Sequence, residues 1–88
     1  MTIDLFLVET NFKYMDINQK IGERIRELRK EKNISQEALA NIAEVDRTYM
    51  TGVETGKRNV TVKVLERIVY ALDIDFTIFF DDNKFSRK

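Results

Sequence analysis

The chain has 88 residues, and its fifteen Lys/Arg are matched by fifteen Asp/Glu, so the formal net charge is zero. That length holds one small domain. The absence of cysteine excludes a disulfide framework and thiolate-bound zinc, and the absence of histidine removes the usual general base and the commonest metal ligand.

No catalytic, metal-binding, cofactor or small-molecule site is expected from such a composition. Apolar runs such as Leu5 to Val8 are far short of the roughly 20 residues that span a bilayer. No basic leader opens the chain, and a cytoplasmic location without membrane contact is the expectation. Neutrality is an average over unequal parts. Residues 18–70 carry eleven basic and eight acidic side chains, between acidic ends. A local field of this kind governs an encounter with phosphate more than the total charge does.

Residues 1–14, MTIDLFLVETNFKY, lie outside the helical pattern and read as an N-terminal extension. The extension either packs as an added strand or helix, or reflects an upstream start. From Asn18 onward, Ile21, Ile25 and Leu28 recur at i, i+4, i+7 and predict a helix over about 18–32. Its other face, Glu23, Arg26, Glu27, Lys30 and Glu31, reads as solvated. Asn33, tolerant of positive φ, is the expected stop.

Ser35 is an N-cap for SQEALANIA, whose apolar face is Leu39 and Ile42; Ala38 at the third helical position leaves no capping box. After the short break AEV, Asp46 caps a third helix from Arg47 to about Thr55 that stops at Gly56. Met50 and Val53 point inward from it. Thr61 opens a fourth helix over about 62–72 with Leu65, Ile68 and Leu72 inward. Asp75 caps a short fifth helix carrying Phe76, Phe79 and Phe80, although the alternation of Phe76, Ile78 and Phe80 also fits a strand. Asp81 and Asp82 read as a solvated acidic turn. The fold class is all-α, with a domain over 15–83 and a tail over 84–88.

The second helix, a break of about three residues and the third helix form a helix-turn-helix arrangement. In that motif the second of the pair enters the major groove of double-stranded DNA, with its N-terminal residues toward the base edges. Arg47, Thr48 and Thr51 line the outer face of that helix, and Arg47 has the fork geometry for guanine O6 and N7. Gln36, at the start of the preceding helix, is placed for a phosphate oxygen. Tyr49 suits a phosphate or an apolar base edge. Beyond Gly56, the basic loop Lys57, Arg58 and Asn59 is placed to grip the backbone. Three phenylalanines at the end of so short a chain exceed what one small core uses, so Phe76, Phe79 and Phe80 are expected to form part of a homodimer interface.

The segments RIRELRKEKNISQEALA and VETGKRN resemble the Xre/Cro class of helix-turn-helix regulators, whose fold is the five-helix, lambda-repressor-like domain. DRTYMTGVETGKRNVT followed by LERIVYALDIDFTIFF is similar, more narrowly, to the controller proteins of restriction–modification systems. The resemblance implies a homodimeric transcription regulator that binds inverted-repeat operators and activates at low level and represses at high level. It implies base contacts by Arg47 and Thr48 with Thr51 at a further contact position, phosphate contact by Gln36, and backbone contacts by Arg58 and Asn59. It also implies an internal ion pair between Arg29 and Glu54. Glu44 stands where many relatives have glycine in the turn and is expected to adopt positive φ, and Val60 stands where many have proline. A phage-type repressor or an antitoxin-like interaction module is the alternative. A chain beginning at Met15 is expected to fold and bind DNA.

Overall fold

The computed structural model describes residues 15–87. Among these are five α-helices: α1 (Ile17–Glu31), α2 (Gln36–Ala43), α3 (Arg47–Glu54), α4 (Val62–Ala71) and α5 (Phe76–Phe79), followed by a 3-10 turn at Asn83–Phe85. The expected N-terminal extension lies outside the described residues. The segment with two readings is a helix, because Asp75 accepts from the Ile78 N–H at 3.0 Å and starts one turn. No described helix is long and apolar enough to cross a membrane.

Polar caps set where each helix begins. Ser35, Asp46 and Thr61 accept the N–H groups of Ala38, Tyr49 and Val64. α1 has a full capping box that the sequence reading passed over. Asp16 accepts from the Gln19 N–H at 2.8 Å, and the Gln19 side chain accepts from the Asp16 N–H at 2.9 Å. Asn33 and Glu44 both take left-handed backbone, at φ 57° and 58°. At Glu44 a non-glycine residue resists that conformation, and Arg67 of α4 offsets the strain. Its guanidinium donates to the Ala43 carbonyl at 3.0 Å and to the Glu44 carbonyl. A cation is thereby set on the C-terminal end of α2, where the helix dipole favours it.

The core forms where α1 meets α3 and α2 meets both α3 and α4. Ile21, Ile25, Leu28, Met50, Val53, Leu65, Ile68 and Leu72 are all buried, as their spacing predicts. Ile42 is not: it is 59% exposed, and α2 instead buries Leu39, Ala40 and Ala43. Two alanines let α2 sit close to its neighbours, and that face carries too little hydrophobicity to outrank an isoleucine in the sequence pattern.

The C-terminal end departs furthest from expectation. Phe79 is fully buried in the core of its own chain, so it is not part of an exposed interface. Glu27 and Asp82, expected to be solvated, converge on Lys84, whose side chain is 1% exposed. The domain body therefore continues past residue 83, through Lys84 and the half-buried Phe85. Burial alone would raise the Asp82 carboxyl. Hydrogen bonds from the Lys84 N–H and ammonium, with the charges of Lys84 and Arg24, outweigh it and hold the group below the ordinary 3.8. A carboxyl lowered by folding stabilises the fold above its unfolded pKa and loses that contribution as pH falls through the folded value. Acid unfolding of Asp82→Asn should accordingly show a smaller loss of stability below about pH 4 than the parent. Equal acid profiles would separate the cluster from acid stability.

Candidate nucleic-acid interface

α2 and α3 are joined by Glu44, Val45 and Asp46, which gives the helix-turn-helix geometry. Met50 and Val53 fasten α3 to the core, so the opposite face of α3 is turned outward. On that face Thr48, Thr51, Gly52 and Thr55 follow one another at i, i+3, i+4, i+7 spacing. Together with Lys57, Arg58 and Asn59 they line one open groove. The structure thus brings Thr48, Thr51 and the basic loop onto one surface, and it adds Thr55, which the sequence reading left out. The signal for Thr55 was its helical spacing from Thr48 and Thr51.

Arg47 is exposed at the N-terminal end of α3, with its guanidinium 3.9 Å from Glu37 of α2. Both side chains are mostly in solvent, where such a pair holds weakly. Arg47 is therefore free to leave Glu37 for another acceptor.

Arg58 does not extend from the loop edge. The Lys57 and Arg58 N–H groups donate to the Gly52 carbonyl at 2.9 and 3.2 Å, which folds the loop back against α3. The Arg58 side chain then crosses Gly52, and its guanidinium lies 5.0 Å from the centre of the Tyr49 ring. A Cβ at residue 52 would meet the Arg58 Cβ at 3.2 Å and Nε at 3.5 Å. Glycine thus leaves room for this close approach, which any larger residue would push back slightly. Tyr49 is half-buried against the core, and its hydroxyl donates to the Asn59 carbonyl at 3.5 Å. Asn59 is also tied to Asn18 at the start of α1 through their side chains.

A chain of polar contacts runs from inside the domain out to exposed Thr51 on this surface. Arg29 of α1 grips Glu54 of α3 with two bonds, Nε to Oε2 at 2.8 Å and Nη2 to Oε1 at 3.0 Å. Its third nitrogen donates to the Ile34 carbonyl at 3.1 Å. The Gln36 amide donates to Glu54 at 3.2 Å, and the Thr51 hydroxyl donates to the Gln36 carbonyl oxygen at 2.9 Å. The ion pair thus orients Gln36, and Gln36 orients Thr51. An amide nitrogen has two N–H groups, and one of them at Gln36 is left for a ligand.

At the far end of the domain Tyr70, Ile78 and Phe80 are exposed, and Phe76 is half-buried. Tyr70, Asp73, Ile74, Asp75 and Ile78 form a shallow groove there. Of the three phenylalanines assigned to an interface, Phe80 and Phe76 remain available, while Phe79 supports them from below.

Comparison with known proteins agrees with this geometry. The Helix-turn-helix family model matches residues 25–79. Control protein C.MunI of a Mycoplasma species is 43% identical over 68 residues, covering 76% of this chain and 92% of that protein. The crystal structure of the restriction–modification controller protein C.AhdI from Aeromonas hydrophila superposes with a TM-score of 0.69 at 44% identity, covering 72% of this chain and 96% of that one. The restriction–modification controller protein C.Esp1396I, solved as a tetramer on its natural 35-base-pair operator, gives a TM-score of 0.72 at 37% identity, covering 76% of this chain and 88% of that one. The chain belongs to the helix-turn-helix family, among the restriction–modification controller proteins.

Proposed function

We propose that the protein is a sequence-specific transcription regulator that binds inverted-repeat operators in double-stranded DNA as a homodimer. The observation that carries this reading is the outward face of α3, where Thr48, Thr51, Thr55 and the basic loop line one open groove beside exposed Arg47. Each α3 enters a major groove. Arg47, Thr48 and Thr51 meet base edges, and Arg58, drawn across Gly52, reaches into the same groove. Gln36, Tyr49, Lys57 and Asn59 hold the backbone on either side. The subunits join through Tyr70, Ile78, Phe80 and part of Phe76. A two-fold dimer places its half-sites about one turn, ~10 base pairs, apart. Genes of a restriction–modification system, and the protein's own gene, are the natural targets.

Mobility shifts on the DNA upstream of its own gene test this at near-physiological salt. Arg47→Ala should lose about 1–3 kcal/mol on the cognate site and relax preference at one base pair per half-site. If Arg47→Ala keeps the parent's ratio of cognate to scrambled binding, Arg47 is not a base reader. A parent protein that shifts no DNA specifically would favour an interaction module acting through the apolar end.

A further inference from the structure

α5 is a single turn, Phe76–Phe79, too short to hold its own position. It nevertheless presents Ile78, with Phe80 just beyond it, on the surface assigned above to self-association. What fixes it comes from α1. Arg24, 9% exposed, donates from Nε to the Phe79 carbonyl at 2.7 Å and from Nη2 to the Ile78 carbonyl at 2.9 Å. Its remaining nitrogen lies 3.4 Å from Asp82. Lys84 reaches both oxygens of Glu27, at 2.9 and 3.1 Å, and Asp82 at 3.0 Å. This draws the 3-10 turn under α5, and the Phe85 ring meets Phe80 edge-on at 4.9 Å.

We propose that the cluster of Arg24, Glu27, Asp82 and Lys84 is a latch that fixes the pose of α5 and so sets the strength of self-association. Ion networks taken out of water are poor sources of stability compared with apolar packing of the same volume, and their better-attested use is to specify one arrangement. Here the arrangement specified is the one that turns Ile78 and Phe80 outward while Phe79 stays inside. The bonds to α1 also connect this surface to the DNA-reading end, because the same stretch of α1 carries Arg29, which holds Glu54 of α3. The inference rests on the reading of this face as the dimer contact.

The test uses the full chain and four proteins: the parent, Lys84→Met, Glu27→Gln and Lys84→Arg. Sedimentation over a concentration series gives the dimer constant, and circular dichroism gives helicity. Lys84→Met and Glu27→Gln should keep their helices but dimerise more weakly by roughly tenfold or more. They should lose binding to a two-half-site duplex while isolated half-site binding is unchanged. Lys84→Arg should recover part of the dimer. Folded variants with the parent's dimer constant would overturn the latch, and so would variants that cannot fold at any salt concentration, since the cluster would then serve stability alone. A parent that stays monomeric at all concentrations would instead remove the homodimer reading itself.

Discussion

Glu54→Ala should cost about 3–5 kcal/mol of folding stability, the usual penalty for removing one partner of a buried ion pair. The Glu54 side chain is 2% exposed and that of Arg29 is 13% exposed, so water cannot replace the lost carboxylate. A small domain has only about 5–15 kcal/mol in all. The variant should therefore be close to unfolded at ordinary temperature. Urea denaturation measures it, and a loss below about 1 kcal/mol would place the pair with exposed salt bridges of little consequence. Glu54→Gln should lose less, because an amide still receives one bond from Arg29. Its sharper effect should be on DNA, since Gln36 and Thr51 are both oriented through the Glu54 carboxylate.

Gly22→Ala should destabilise the fold by about 3 kcal/mol or more, the high end of overpacking in a tight contact. Helix propensity alone argues the opposite, a gain of about 1 kcal/mol for alanine inside a helix. The structure decides between them. A Cβ at residue 22 would stand 2.2 Å from the Val53 carbonyl oxygen and 2.7 Å from that of Glu54. These are backbone atoms of α3, so the two helices must separate and carry the DNA-reading face with them. Gly52→Ala is the matched control. There the tight neighbour is the Arg58 Cβ at 3.2 Å, on an exposed loop that need shift by only a fraction of an ångström, and the Arg58 Nε at 3.5 Å is in ordinary contact. That variant should be as stable as the parent or slightly more so, yet bind DNA less well because Arg58 is displaced. Equal stability of Gly22→Ala and the parent would contradict the close contact of α1 with α3.

These two glycines show what the sequence could and could not convey. Gly52 can be recognised from sequence as a residue unfavourable inside a helix, although the Arg58 side chain that crosses it cannot. Nothing local marked Gly22, because its clash partners lie some thirty residues away on α3. The N-caps Ser35, Asp46, Thr61 and Asp75, with Gly56 and the stop at Asn33, were legible because each depends on one or two residues and their immediate neighbours, while the left-handed turn at Glu44 was legible through the family resemblance. The Arg29–Glu54 pair was legible through the family resemblance, and its geometry agrees.

The C-terminal end was misread for a physical reason. Asp82 and Lys84 look solvated to any residue-by-residue scale, and only the fold brings them to Arg24 and Glu27, more than fifty residues earlier. Ile42 erred in the opposite sense. A large apolar side chain drew the helix face toward itself, while Ala40 and Ala43 made the actual contact. In the DNA-reading region, sequence placed the elements correctly. It could not show that Arg58 folds back across Gly52 onto Tyr49.

Hydroxyl-radical footprinting of the parent protein on the DNA upstream of its own gene tests the central claim most directly. The account predicts two protected half-sites of inverted sequence, centred about one helical turn, ~10 base pairs, apart on one face of the duplex. Replacing Arg47 by alanine should raise the protein concentration needed to protect both halves together, in keeping with a loss of about 1–3 kcal/mol. A single unpaired patch, or uniform protection without sequence preference, would contradict the account.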